Sequence, residues 1–263
     1  MANTVWNGSD KTASLVLSGG NLVATAASGG GYVRAVDKQI TGKFYWEVTA
    51  TTNALASTSI GISSPTAILG NFSNTPGVAG VVHAGTIYVD GVTTGSTLGT
   101  ITSGTVLCFA FDADSRLIWI RAGAAGNWNG SAGANPATGS GGFDSHLGRG
   151  IPAYPAFYGS STSEAVTANF GDTAFTGAVP SGYTSGFTAG ASVPTNAIAS
   201  QALAEHWLTT NPDAQITQVA LEHWASVTSD NLQAVVTQVL LEHWMSVASV
   251  VPASGGPIVT MIH

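Results

Sequence analysis

From residue 4 to about residue 188 the apolar positions fall in short runs where β-branched and aromatic side chains alternate with polar ones, each run closed by Gly, Ser, Asn or Pro. A period of two is the signature of a strand with one face toward a core. The pattern predicts strands over 14–17, 43–49, 59–62, 86–89, 105–111, 116–121, 154–158 and 165–170. Asp90-Gly91 and Asp112-Ala113-Asp114-Ser115 lie between strands, where Asp and Gly accept turn dihedrals. No amphipathic helix of useful length interrupts the series, so residues 1–188 are expected to form an all-β antiparallel sandwich. Trp6, Trp46 and Trp119 sit within strand patterns and belong to its core or margin.

Several short motifs follow one another along this region. Trp6-Asn7-Gly8-Ser9-Asp10-Lys11 is followed by Leu17-Ser18-Gly19-Gly20-Asn21-Leu22, then Gly42-Lys43-Phe44-Tyr45-Trp46-Glu47-Val48, then Ile60-Gly61-Ile62. Gly104-Thr105-Val106 leads into Phe111-Asp112-Ala113-Asp114, and Tyr154-Pro155-Ala156 precedes Val166-Thr167-Ala168-Asn169-Phe170-Gly171. In this order, over residues 4–188, they resemble bacterial and phage SPRY domains. The resemblance implies two packed antiparallel sheets of concanavalin-like jelly-roll topology, with rim loops that recognise a ligand whose identity the fold does not fix. The departure is a long Gly-rich insertion over 123–150, and a loop of that length is either functional or mobile.

Residues 189–199 read as a linker, and residues 200–263 as a repeat module built on three copies of Gln-x-x-x-Glu-His-Trp. The copies run from Gln201 to His206 and Trp207, from Gln218 to His223 and Trp224, and from Gln238 to His243 and Trp244. A repeat this short cannot bury its apolar face alone and must stack or pair. The apolar positions fit either a helical stripe or one face of a strand. The density of Val, Ile and Thr, with turn-like Asn211-Pro212-Asp213 and Ser229-Asp230-Asn231 between copies, favours strands. The repeat resembles short repeats of tailed-phage structural proteins.

Charge narrows the function. Charged residues make up 8% of the chain, against roughly 25% in an average soluble protein, which suits a surface largely covered in an assembly. The seven basic residues all lie at or before Arg149, where they balance seven acids; the remaining seven acids carry the net charge of -7. Neither part offers the basic patch that phosphate binding needs, so nucleic acid is not an expected partner. Cys108, the single cysteine, lies in an apolar run and reads as a buried thiol. The start of the chain lacks a signal-peptide pattern and no run is long and apolar enough to span a membrane, so synthesis in a host cytoplasm is expected.

Candidate chemistry is sparse. Glycosidases need a flanking pair of carboxylates, but Glu47 has no acid alternating with it and reads as a solvent-facing or hydrogen-bonded strand residue. Asp112 and Asp114 are too few for a calcium site. His206, His223 and His243 could form a metal cage across an oligomer, yet the Trp beside each favours interface packing, where imidazole titration would make assembly pH-sensitive. No cofactor, no metal and no enzymatic activity are expected. In the insertion, Asn127, Trp128, Asn129, Asn135 and Phe143 suggest a ligand-binding loop: an exposed Trp flanked by amides suits a sugar face, though Trp128 could equally cap the sandwich edge. The expectation is a phage virion component, as fibre, collar appendage or capsid decoration. It would self-associate, as a homotrimer, and dock to capsid, neck or tail through Gln201, His206, Trp207, Gln218, His223, Trp224, Gln238, His243 and Trp244, with a host-surface glycan as candidate ligand. The rival expectation is a free carbohydrate- or peptide-binding module with an oligomerisation tail.

Overall fold

The computed structural model describes residues 3–28, 30–52, 58–68 and 70–188. The linker over 189–199 and the repeat module over 200–263, with all nine of its expected interface residues, lie outside them.

Among the described residues fifteen strands form two sheets. They are β1 (Trp6–Lys11), β2 (Leu15–Ser18), β3 (Val23–Ala26), β4 (Gly31–Ala35), β5 (Lys43–Thr52), β6 (Ser59–Ser63), β7 (Val78–Val82) and β8 (Thr86–Val89). They continue as β9 (Val92–Thr97), β10 (Val106–Asp112), β11 (Leu117–Ala122), β12 (Phe143–Asp144), β13 (Tyr154–Gly159), β14 (Ala165–Asn169) and β15 (Thr184–Ser185). One sheet runs β1-β4-β13-β6-β7-β8-β9 and the other β12-β11-β10-β5-β14-β3-β2. All pairings are antiparallel except β15, which adds two residues parallel to Phe44 and Tyr45 of β5. The β-sandwich expected from the sequence is what forms.

Alternation explains the packing. On β5 the side chains of Phe44, Trp46, Val48 and Ala50 point between the sheets, as do Leu107, Phe109 and Phe111 of β10 and Ile118 and Ile120 of β11. Trp46 and Phe109 stack there at 5.1 Å with planes 9° apart, and Phe187 meets the Trp46 ring edge-on at 5.2 Å. Each fully buried Phe or Ile of this kind contributes roughly 1.5–3 kcal/mol.

The outer faces of both sheets are also covered, which is why several strands are buried on both sides. On the seven-stranded sheet, Ala156, Gly61 and Gly80 lie in one cross-strand row between Arg34 and Tyr88. The Phe72 ring packs into this trough, and a Cβ on Gly80 would come within 2.7 Å of it. Arg34 holds the covering loop: its guanidinium pairs with Asp10 at 3.0 Å and donates to Ser63 Oγ and to the carbonyls of Ser64 and Ala67.

Of the four edge strands, β1, β9, β2 and β12, two are blunted by side chains. Lys11 Nζ donates to the Leu15 carbonyl at 2.7 Å on β2. On β9 the Thr93 and Thr94 hydroxyls accept from the N–H groups of Gly95 and Ser96. Self-capped edges of this kind resist the addition of a foreign strand.

Candidate recognition surface

The outer face of the eight-stranded sheet carries most of the unusual chemistry. Register aligns Asn169, Glu47, Cys108 and Arg121 in one row across β14, β5, β10 and β11, with Tyr45, Ala110 and Trp119 in the next. Two segments cover these rows. One is the strap over 173–187, which ends with β15 and plugs Phe187 into the core. The other is the insertion over 123–150.

Glu47 is 3% exposed, and its carboxylate is fully engaged. Oε1 accepts from Tyr45 Oη and from Gly177 N, both at 2.7 Å, and Oε2 accepts from Thr176 N at 2.9 Å. The residue is therefore the hydrogen-bonded alternative of the two that the sequence allowed, with the bonds anchoring the strap. Gly177 is required at this contact because a Cβ would sit 2.6 Å from Arg121 Nη2 and 2.7 Å from Tyr45 Oη. Burial, reinforced by Cys108 and Glu47, pushes the Tyr45 phenol far up. Burial likewise raises the Cys108 thiol, which lies 3.8 Å from Glu47 Oε1.

The insertion is tied to β11 by side-chain contacts. Its Asn129 is 2% exposed and acts as a clamp: Oδ1 accepts from Ile120 N, while Nδ2 donates to the carbonyls of Ile118 and Gly141. The residue adopts φ +51°, a left-handed conformation that Asn tolerates. Trp128, 9% exposed, lies beneath the Arg121 guanidinium at 4.3 Å from ring centre to cation and meets Tyr45 edge-on. Arg121 in turn donates from Nη2 to the Ala178 carbonyl, tying strap to insertion. Trp119 Nε1 donates to Ser140 O at 2.8 Å.

The expectation of an exposed stacking Trp at this loop is thus corrected. Trp128 caps the sheet, because an apolar ring beside a buried guanidinium gains more from that contact than from water. Asn129 is likewise turned inward, its amide used up by three backbone groups. Phe143, on β12, packs partly buried against the main core. Of the five expected ligand-binding residues, Asn127 and Asn135 remain exposed; Asn135 Oδ1 accepts from Ala137 N at the start of a short 3-10 turn, Pro136–Thr138. Sequence reasoning missed Arg121, whose isolated charge in an apolar strand was the available signal.

What remains at the surface is a shelf bearing Asn127, Ser131, Asn135, Thr138 and Ser140, all exposed. No charged residue occurs between Arg121 and Asp144. Among the described residues no group of three or more His, Cys, Asp or Glu could hold a metal, and no helix is long and apolar enough to cross a membrane.

Comparison with known proteins gives fold neighbours. The chain is similar to the SPRY domain of human HERC1, at 18% identity and a TM-score of 0.48 over 62% of this chain and 96% of that one. It is also similar to the TRIM65 PSpry domain, at 15% identity and 0.47 over 64% and 92%. A third likeness is stonustoxin, at 13% identity and 0.44, where the match covers 64% of this chain and 27% of the other. No family model matches the chain, and no curated protein matches it.

Proposed function

We propose that this chain is a non-enzymatic binding protein of a tailed-phage virion, in which the sandwich is displayed and residues 200–263 anchor it. The observation that carries the binding half is the shelf over 127–140. It is uncharged, built of amides and hydroxyls, and held from beneath by Asn129, Trp128 and Trp119. Preorganised polar groups of this kind lose little entropy on engaging a neutral hydroxyl-rich ligand, such as a host-surface glycan. The commitment of both Glu47 oxygens to the strap argues against acid–base work by that carboxylate.

The anchoring half is supported by the threefold Gln-x-x-x-Glu-His-Trp repeat and its resemblance to phage structural repeats. Blunting at β2 and β9 disfavours strand addition at those two edges, and the repeats would be the segment through which copies join as a homotrimer and dock to other virion proteins. Assembly in a host cytoplasm belongs to the same proposal.

Light scattering on the full chain and on a chain ending at residue 190 tests it. A trimer that becomes a monomer on truncation supports anchoring through the repeats. Two monomers would overturn self-association, and retained glycan binding by the truncated chain would then favour the free-module reading.

A further inference from the structure

A second polar cluster lies where β10 turns into β11, away from the Glu47 row. Arg116 closes that turn in a left-handed conformation, φ +63°, and is 4% exposed. Its guanidinium makes no hydrogen bond or ion pair among the described residues, and Nε and Nη1 are buried without an acceptor. Ser145 faces it across the β11–β12 ladder, donating its N–H to the Arg116 carbonyl at 2.8 Å. The Ser145 side chain is fully buried, and its hydroxyl also lacks a partner.

Among the described residues no nearby acid forms an ion pair with it. Asp112 spends Oδ1 on the N–H groups of Asp114 and Ser115 and Oδ2 on Lys43. Asp114 Oδ1 accepts from Gly42 N, and Asp144 Oδ1 accepts from His146 N. Charges of both signs act on Arg116: burial lowers its pKa first and Arg149 lowers it further, which together outweigh the opposing Asp114. A buried cation with no ion pair or hydrogen bond is costly, and backbone outliers kept at such a cost are a reason to look for function.

We propose that Arg116, Ser145 and Arg149 form a binding site for a small oxyanion. The anion would accept from the guanidinium donors and the Ser145 hydroxyl while Arg149 closes over it from solvent. Access would be from the segment Gly148, Arg149, Gly150 and Ile151, all exposed, where the two glycines let the chain shift at little cost. The site shares no residue with the shelf or the repeats.

Calorimetric titration of the full chain with inorganic phosphate, with sodium chloride at equal ionic strength in the reference, tests the proposal. Saturable one-to-one binding is expected, weakened at least about tenfold in Arg149→Gln, whose exposed side chain can be replaced without disturbing the fold. In thermal unfolding, Arg116→Met should melt above the wild type in chloride and lose the gain that phosphate gives the wild type. Absence of saturable heat, or equal phosphate gains in wild type and Arg116→Met, overturns the site. Should Arg116→Met not fold, the Arg149→Gln titration decides alone: unchanged affinity there overturns it too.

Discussion

Glu47 and Gly177, 130 positions apart in the chain, meet through a 2.7 Å hydrogen bond that fastens the strap over 173–187 to the middle of the eight-stranded sheet. The same carboxylate holds Thr176 N and Tyr45 Oη, so one acidic side chain satisfies three donors that would otherwise be buried in apolar surroundings.

Glu47→Gln tests this role. Its amide turns an N–H group toward donors that need an acceptor, and urea unfolding should show a loss of about 2–3 kcal/mol. A structural anchor predicts that loss, whereas a catalytic carboxylate held at a cost to stability would leave the variant as stable as the wild type or more so.

Asn129→Ala should cost about 2–4 kcal/mol, since it leaves Ile120 N and the Ile118 and Gly141 carbonyls without partners and places Ala in a left-handed conformation. Hydrogen exchange should accelerate over 127–141 while the amides of β5 and β10 keep their protection. Uniform acceleration would mean that the shelf is part of the core folding unit and not a separately clamped layer.

The strands were legible where a run of β-branched and aromatic residues is closed by turn-forming ones. β5, β8, β10, β11 and β13 fall within a few residues of the runs that alternation picks out. β7 escapes that pattern because Ala79 and Gly80 interrupt its valines with residues of low strand preference, and β9 because Val92–Thr97 is an exposed, Thr-rich edge. The candidate site was legible in part. Trp128 and Asn129 are central to the insertion, but a Trp between two Asn looks the same whether it stacks on a ligand or under Arg121. The decision comes from a register spanning β5, β10 and β11, which no local motif records.

Acid should weaken the fold through Asp112. Burial alone would raise this carboxyl, but hydrogen bonds from Ser115 and Lys43 outweigh it and hold the pKa below the ordinary 3.8. The depressed value means that the folded state favours the charged form. The contribution is fully present above the unfolded pKa and is lost as pH falls through the folded one. Melting temperatures measured from pH 5 downward, on the order of one pH unit either side of that ordinary value, should therefore fall more steeply for wild type than for Asp112→Asn. At neutral pH the variant should lose about 1 kcal/mol, because its partner Lys43 is well exposed and the pair is screened.

Alkali should weaken the fold through Tyr183 as well as Tyr45 and Cys108. Burial pushes the Tyr183 phenol upward, with Asp112 adding to it, and its hydroxyl has no hydrogen-bond partner. In the unfolded chain a phenol ionises near its ordinary 10.0 and a thiol near 9.0. The folded chain keeps protons that the unfolded chain has given up, so stability present below about pH 9 drains away as pH rises further. Tyr183→Phe separates the contributions, because it removes an orphaned hydroxyl while keeping the ring against Trp119. At pH 7 it should leave stability unchanged or raise it by up to about 1 kcal/mol. Between about pH 9 and pH 11 its urea midpoint should decline less than that of the wild type. An equal decline would place the alkaline sensitivity on Tyr45 and Cys108 beneath the strap, and a loss of stability at pH 7 would show that the Tyr183 hydroxyl has a partner after all.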